Sequence, residues 1–348
     1  MRILILGASY GSLFATKCLM AGHDATLVCR APTARLINER GTHVHIRLEG
    51  HDQHRSFASV DLPGRLDART PEAVEAGAYD LAVLAMQEPQ YANHAITTLL
   101  AMLAPSGVPC LSIMNMPPLP FLKRIPAIDT AQVEPAYLST RVWQRFDPDL
   151  ISHASPDPQA MRPPGQPPNV LLVGLPTNFK AAEFGSAAAN ALLAELAQSI
   201  DEVRAVGQEV PVKLRRHASI FAPLAKWSML MAGNYRCVTD GAPVSIHDAV
   251  HQAPELAREI YEVTGDIVMR LGGSRDDLVP FEKYAKAALG LNKPSSIARA
   301  IDSGAPVVER VDRLIQILGR EVGITHGEID RIVGLVDHRL ARNATRAA

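Results

Sequence analysis

The first residues of the chain combine a strand, a glycine turn and a helix, and this order constrains the fold more than any other feature. Four consecutive apolar residues, Ile3 to Leu6, fit a strand that is covered on both faces, as in parallel sheets. A glycine turn over 7–12 follows, and then a helical sequence over 13–19. Glycine lets the backbone approach a pyrophosphate, which the amides at the start of a helix attract. We therefore predict that a dinucleotide binds at Gly7, Ser9, Tyr10, Gly11 and Ser12.

The glycines depart from the usual G-x-G-x-x-G spacing of dinucleotide sites. Counted from Gly7, the second and third glycine positions hold Ser9 and Ser12, and Gly11 lies one place early. An ordinary strand-to-helix turn of any α/β fold therefore stays open as the alternative. The place of the turn, directly after a buried N-terminal strand, favours the dinucleotide interpretation.

The residue after the second predicted strand indicates which dinucleotide binds. Sites for NAD usually carry Asp or Glu there for the ribose 2′-hydroxyl, whereas a 2′-phosphate needs a cation. The strand over 25–29 is followed by Arg30, and no carboxylate occurs from Thr26 to Asn38. The sequence thus favours NADP, with Arg30 at the 2′-phosphate. A solvated arginine at the end of a strand is the alternative.

Strands and helices alternate further along the chain. Strands are predicted over 43–49, 79–85 and 109–113, and a helix over 91–103. This alternation predicts βαβ units and a parallel sheet, whose ligands bind beyond the carboxyl ends of the strands. Gln87 and Asn115 each follow a strand at that edge, so both are candidates to contact cofactor or substrate. Either side chain could instead cap a helix or a turn.

The predicted domain boundary lies near residue 205. Before it, strands are predicted over 136–143 and 169–175, and a helix over 186–203. The Pro-rich residues 156–168 are predicted to be a surface insertion, a loop or an ordered excursion without a regular element. After it, the pattern is helical with Val210–Val212 as the last strand. We therefore predict an α/β fold, with a Rossmann-type parallel-sheet domain over 1–205 followed by an all-helical domain over 206–348.

Lys226 is the only charged residue in the apolar helical sequence 218–232. Asn234 follows eight residues later, about two turns on, and so falls on the same helix face. A partly desolvated ammonium beside an amide can protonate a carbonyl oxygen while hydride reaches the carbon. Ser295 and Ser296 begin a later helix, whose first amides could hold a substrate carboxylate. A lysine that extends to solvent, and serines that only cap the helix, are the alternatives.

Composition limits the function classes. The chain has 35 Lys+Arg against 36 Asp+Glu, a formal net charge of −1, which argues against binding of nucleic acid. No apolar run approaches the ~20 residues of a membrane span, so none is expected. The four cysteines lie too far apart for a metal ribbon or a CxxC pair, and we expect buried thiols in the cytoplasm. No metal site is predicted.

These residues resemble the ketopantoate reductase family, the ApbA/PanE-type 2-dehydropantoate 2-reductases. The resemblance rests on the sequence 1–30, on Asn115, on Lys226 with Asn234, on the Ser295-Ser296 pair and on LGREVG at 318–323. It implies reduction of a branched 2-keto acid by NADPH. It also implies catalytic roles for Lys226, Asn234 and Asn115, and contact of Ser296 with the substrate.

The chain departs from the family pattern at several polar positions. The family's third-strand lysine is Gln87 here, and an asparagine expected four residues after Lys226 is Leu230. The family glutamate falls on Val307 or Val308, and Glu309 is the nearest acidic residue. We keep Glu309 as a substrate-binding candidate, but it cannot simply inherit the role, because a shift of one residue along a helix turns the side chain by ~100°. Leu230 in particular favours a larger or less polar substrate.

The sequence therefore predicts an NADPH-dependent reductase of a small 2-keto acid, with Lys226 as general acid and a homodimer as its assembly. An opine-type or other imine dehydrogenase of the same architecture is one alternative. A non-catalytic NADPH-binding sensor is another.

Overall fold

The structure, a computed structural model, describes residues 1–347 and divides into two compact units. The first, here called the sheet unit, comprises Met1–Met86, Gln90–Arg124 and Arg141–Ala218. The second, the helical unit, comprises Gln87–Pro89, Ile125–Thr140 and the described residues from Ser219 on. The sheet unit thus continues to Ala218, beyond the predicted boundary at 205.

The sheet unit holds every strand of the described residues. They are β1 (Arg2–Leu6), β2 (Asp24–Val28), β3 (His43–Arg47), β4 (His54–Ala58), β5 (Leu66–Arg69), β6 (Leu81–Leu84), β7 (Cys110–Ser112), β8 (Ile151–Ser155), β9 (Gln159–Met161), β10 (Val170–Leu175), β11 (Phe179–Ala182), β12 (Arg204–Ala205), β13 (Gln208–Glu209) and β14 (Leu214–His217).

The helices are numbered along the whole chain. They are α1 (Gly11–Met20), α2 (Ala31–Arg40), α3 (His94–Leu103), α4 (Leu119–Leu122), α5 (Thr130–Val133), α6 (Thr140–Trp143), α7 (Ala187–Glu202), α8 (Lys226–Met229), α9 (Ile246–His251), α10 (Pro254–Arg270), α11 (Phe281–Ala288), α12 (Ser296–Asp302), α13 (Val311–Glu321) and α14 (Gly327–Ala347). Helices α5 and α8–α14 belong to the helical unit.

The main sheet has the order β14-β11-β8-β7-β6-β1-β2-β5. All neighbours from β8 to β5 are parallel, and only the β8–β11 pair is antiparallel. The predicted parallel sheet is confirmed, and its central strands β1 and β6 are almost wholly buried from Ile3 to Leu6 and from Leu81 to Leu84. Strands buried on both faces are continuous apolar runs, which is why sequence located them.

A second sheet, of order β4-β3-β10-β9, contains part of the Pro-rich insertion. The prediction of a loop over 156–168 is wrong for Gln159–Met161, because these residues form β9 and pair antiparallel with β10. Proline lacks an amide hydrogen and belongs at sheet edges. The prolines on both sides of β9 accordingly confine it to three residues at the edge of this sheet.

Two further strand predictions are wrong. The sequence 136–143 contains α6 and a turn, because the amides of Leu138 and Ser139 donate to the carboxylate of Glu88 and not to a neighbouring strand. Residues 210–212 are not a strand either. The carbonyls of Val210 and Pro211 accept hydrogen bonds from Lys17 Nζ (3.1 and 3.0 Å).

The helical unit contains no strand within its described residues, as the predicted fold class requires. Its long helix α10 packs against α8, α9 and α13. Within the part of the chain that the structure describes, no helix is long and apolar enough to cross a membrane. In the same part, no group of three or more His, Cys, Asp or Glu side chains is arranged to hold a metal ion.

Candidate functional site

The glycine turn between β1 and α1 brings backbone into close contact on two sides. Gly7 has φ +108°, and a Cβ there would lie 2.8 Å from the carbonyl oxygen of Ala85. A Cβ at Gly11 would lie 2.7 Å from Cγ2 of Ile5, on β1. Glycine at these positions therefore keeps the turn open and lets α1 pack directly on the sheet.

The other three predicted residues of the turn differ in exposure. Ser9 is exposed, whereas Ser12 is buried and its hydroxyl donates to the carbonyl of Ala8 (2.5 Å). The hydroxyl of Tyr10 donates to the carbonyl of Pro158 (2.8 Å), in the Pro-rich insertion. Ser12 and Tyr10 thus use their hydroxyl hydrogens within the protein, and the amides of Ser12 and Leu13 donate to the carbonyls of Ser9 and Tyr10 (3.2 and 3.1 Å). A pyrophosphate at this turn would meet Ser9 and the amides that precede Ser12.

Arg30 directly follows Cys29 at the carboxyl end of β2 and precedes α2 as its N-cap. Its backbone is extended (φ −66°, ψ 147°), its side chain is exposed, and within residues 1–347 it forms no ion pair. The first turn of α2 carries no acidic residue. This end of β2 is therefore cationic, as the 2′-phosphate of NADP requires.

A cavity of about 440 Å³ lies beside α2 and the end of β5. Its lining includes Ala31 and Arg35 from α2, together with Asp67 and Arg69, which pair with each other (2.6 Å). No residue of the glycine turn lines it. The cavity therefore lies next to the end of β2 and does not include the predicted pyrophosphate site.

Gln87 and Asn115 occupy matching positions along the chain, three residues after β6 and β7. These two strands are adjacent and parallel, with Leu84 opposite Ser112. Both side chains are half-buried. Asn115 belongs to the sheet unit, whereas Gln87 belongs to the helical unit.

Lys226 begins α8 and is only 7% exposed. After four residues the α-helix becomes a π-helical turn over Leu230–Asn234. Eight α-helical steps of about 100° overshoot two full turns by about 80°, whereas a π turn winds less per residue. The π turn therefore brings Asn234 back toward the face of Lys226, and such turns are common at functional sites.

Ser295 connects the start of α12 to this π turn. Its hydroxyl accepts from the amide of Ala298 (3.1 Å), which caps α12, and donates to the carbonyl of Asn234 (2.7 Å). Ser295 is buried, whereas Ser296, the first residue of α12, is exposed. The structure thus brings Asn234 and the Ser295-Ser296 pair together, with Ser295 as the structural member and Ser296 as the accessible one.

Glu309 lies in a buried polar cluster that sequence reasoning missed. Its carboxylate accepts from the amide of Glu88 (3.2 Å), and both side chains are 1% exposed. The Glu88 carboxylate accepts from the amide and hydroxyl of Ser139 (2.8 and 2.5 Å). Burial raises the pKa of Glu88, against the effect of these bonds, and burial with both carboxylates raises the pKa of Tyr137.

This cluster fixes the short segment that carries Gln87. Glu88 directly follows Gln87, and its backbone is bonded to Glu309 while its side chain is bonded to Ser139. The Tyr235 hydroxyl in turn donates to the carbonyl of Glu309 (2.6 Å). The only sequence signal was an acidic residue soon after a buried strand, which does not reveal partners 51 and 221 residues away.

Comparison with family profiles finds no matching family, and no curated protein sequence matches. Solved structures do match over nearly the whole chain. A 2-dehydropantoate 2-reductase from Methylococcus capsulatus has a TM-score of 0.69 at 14% identity, with 99% of this chain and 98% of that chain covered. D-Mandelate dehydrogenase, solved with NADH and anilino(oxo)acetate, has a TM-score of 0.66 at 15% identity, with 99% and 100% covered.

A dimeric ketopantoate reductase from Staphylococcus aureus has a TM-score of 0.62 at 13% identity, with coverage of 99% and 100%. Such identities establish likeness of fold. The resemblance found in the sequence is thereby confirmed for the fold: this chain has the fold of the ketopantoate reductases.

Proposed function

We propose that this protein is an NADPH-dependent reductase of a small 2-keto acid and that Lys226 is its proton donor. The observation that carries the proposal is a buried lysine at the start of a helix whose π turn realigns Asn234 with it. A buried ammonium is costly unless it has a purpose or a partner. The shared fold with ketopantoate reductases and with NADH-bound D-mandelate dehydrogenase supports the same chemistry.

The sheet unit fits the cofactor. The glycine turn at the N-terminus of α1 would hold the pyrophosphate, which a helix N-terminus attracts, while Gly11 lets α1 pack closely against Ile5. Arg30 supplies the cation for the 2′-phosphate, and the exposed Ser9 is available for a phosphate oxygen. NADPH, when bound, supplies the hydride that reduces the carbonyl carbon.

The helical unit supplies the proton and the recognition groups. Lys226 donates a proton from Nζ to the oxygen that develops negative charge, and Asn234 orients that oxygen. Ser296 and the first amides of α12 bind the substrate carboxylate, in a position fixed by the Ser295 bond to Asn234. Asn115 and Gln87 complete the proposed set of contacts. Glu309 acts indirectly, because its bond to the amide of Glu88 holds the segment that carries Gln87.

The test is replacement of Lys226 by alanine. NADPH oxidation is followed with a panel of 2-keto acids, with and without added amines, and NADPH binding is measured separately by calorimetry. Loss of a positioned proton donor costs about 10²- to 10⁴-fold in turnover, so we expect a drop in this range with unchanged NADPH affinity. Lys283→Ala is the matched control, because Lys283 is an exposed lysine of the same unit.

Each alternative gives a different result. Turnover that requires an added amine would indicate an opine-type or imine dehydrogenase. Binding of NADPH without oxidation by any compound would indicate a sensor. Full turnover in the Lys226→Ala variant would refute the mechanism.

An aromatic 2-keto acid is the substrate that one observation favours over ketopantoate. Leu230, wholly buried, stands four residues after Lys226 where the family pattern has asparagine. D-Mandelate dehydrogenase, which has a similar fold and was solved with anilino(oxo)acetate, supports this choice because that ligand carries an aryl group. We expect a higher kcat/KM for phenylglyoxylate than for ketopantoate, and the reverse order would contradict this choice.

The homodimer, supported by one dimeric neighbour, is tested by light scattering.

A further inference from the structure

The Pro-rich insertion 156–168 folds back onto the glycine turn of the sheet unit. Tyr10, in the turn, donates its hydroxyl hydrogen to the carbonyl of Pro158 (2.8 Å) and packs edge-on against Phe179 at 6.0 Å between ring centres. Asp157 forms an ion pair with Lys180 (3.7 Å), both side chains being mostly buried. The start of the insertion is therefore fixed beside the residues that we propose bind the pyrophosphate.

Strand β9 joins the middle of the insertion to the second sheet. It pairs with β10, with Met161 opposite Leu172, and β10 pairs in parallel with β3, with Leu172 opposite His45. Arg162 follows Met161 directly, is exposed, and forms no hydrogen bond or ion pair with the residues that the structure describes. The sheet thus fixes the backbone next to Arg162, whose guanidinium is exposed.

The charge of Arg162 reaches the carboxyl end of β2. Burial raises the pKa of the Cys29 thiol to about 11, and the charges of Arg162 and then of Arg30 oppose this rise. Arg30 is the neighbour of Cys29 in sequence, yet the effect of Arg162 is the larger. The charge of Arg30, from the end of β2, and the charge of Arg162, from the insertion, therefore both act on the Cys29 thiol.

Arg162 and Arg30 are both exposed, and neither forms an ion pair with the described residues. The insertion that carries Arg162 is bonded to the glycine turn, so both guanidinium groups are available to an anion bound beside that turn. We propose that Arg162 and Arg30 together clamp the 2′-phosphate of NADPH, which makes Arg162 a residue that determines cofactor specificity. This inference rests on the proposed function and names a role for the insertion. Arginine suits it because its planar fork can bind a phosphate through two hydrogen bonds.

The test compares two cofactors that differ only in the 2′-phosphate. Dissociation constants for NADPH and NADH are measured by fluorescence titration of the wild type and of Arg162→Gln. Hydrogen bonds to charged groups correspond to about a 10- to 100-fold change in affinity. We expect the NADPH dissociation constant to rise by about that factor and the NADH constant to change less than about twofold.

Arg65→Gln is the matched control. Arg65 is also an exposed arginine of the sheet unit, but its carbonyl accepts from the amide of Ala25, at the opposite end of β2 from Cys29. This variant should leave both dissociation constants unchanged. Arg162→Lys, which keeps the charge without the fork, should give an intermediate loss, and thermal unfolding of each variant checks that it folds.

A second variant tests whether the insertion positions Arg162. Tyr10→Phe removes the bond to Pro158, so it should lower the preference for NADPH over NADH in the wild type and have little further effect on that preference in Arg162→Gln. Independent, additive effects of the two changes would show that the bond does not position Arg162.

The outcomes separate this inference from the function on which it rests. If the wild type binds neither nucleotide, the proposed function fails and the inference falls with it. If Arg30→Gln weakens NADPH binding while Arg162→Gln does not, the function stands and the role of Arg162 is refuted. Equal weakening of NADPH and NADH by Arg162→Gln would likewise refute a contact to the 2′-phosphate.

Discussion

His153 makes the stability of the sheet unit depend on pH. It lies in the centre of β8, opposite Ser112 of β7, and its Nδ1 lies 2.8 Å from the Ser112 hydroxyl oxygen. Only 1% of the side chain is exposed, and burial lowers the pKa of His153 from 6.5 to about 3. The folded protein therefore keeps this histidine neutral at pH values where the unfolded chain protonates it.

The size of the effect follows from the two pKa values. Because the folded pKa is the lower one, the unfolded state binds more protons between pH 6.5 and 3, and stability falls as the pH falls through this range. At about 1.4 kcal/mol per pKa unit the whole shift corresponds to about 5 kcal/mol. Between pH 7 and pH 5 the loss amounts to about 2 kcal/mol.

His153→Asn removes the titrating ring and keeps an amide that can bond to Ser112. The free energy of unfolding is measured by urea denaturation at pH 7, 6 and 5 in a Trp227→Phe background. Trp143, in the sheet unit, is then the only tryptophan. We expect the parent to lose about 2 kcal/mol more than the His153→Asn variant between pH 7 and pH 5.

The comparison uses the change in unfolding free energy between pH 7 and pH 5. The cost of the cavity left by the smaller side chain is the same at both pH values and therefore cancels. At pH 7 the variant is expected to be less stable than the parent, because it leaves space beside Phe121, whose ring centre is 5.3 Å from that of His153. His94→Asn, at an exposed histidine of the same unit, should follow the parent. Parallel curves for the parent and His153→Asn would refute the reasoning.

Two further substitutions test the helix that follows the glycine turn. Gly11→Ala places a Cβ 2.7 Å from Cγ2 of Ile5. It should cost about 1–3 kcal/mol of unfolding free energy and weaken dinucleotide binding, whereas Gly77→Ala, which meets nothing within 4 Å, should do neither in melting and binding assays. Burial lowers the pKa of Lys17 to about 7. The unfolded state then binds more protons between pH 7 and 10.5, so the wild type should gain stability over this range, and denaturation of Lys17→Met should show a flatter dependence.

The parts of the fold that sequence predicted are those governed by local patterns. Buried parallel strands are continuous apolar runs, so β1, β6 and β7 were located within a few residues. The cap of α12 was likewise predictable, because a serine before a helical sequence bonds to an amide three residues on. In each case the determining contacts lie close along the chain or depend only on burial.

The parts that sequence did not predict depend on contacts between distant residues. The sequence 136–143 alternates like a strand, but the Glu88 carboxylate takes the amides of Leu138 and Ser139 that a strand would need for its neighbour. The partner of Tyr10 lies 148 residues away, in a segment whose prolines indicated only a loop. Hydrogen bonds of this kind leave no periodicity in the sequence, so they cannot be inferred from it.

The glycine turn shows why spacing alone was a weak criterion. In the usual pattern the third glycine permits close packing of the helix on the strand. That position holds Ser12 here, yet its hydroxyl turns back to the Ala8 carbonyl, and Gly11 provides the close approach to Ile5 one residue earlier. The physical requirement is a missing Cβ where α1 crosses β1, and a shift of one residue meets it. The departure from G-x-G-x-x-G therefore does not count against dinucleotide binding. The Gly11→Ala variant tests whether Gly11, and not the residue at the usual third glycine position, provides the close packing of α1 on β1.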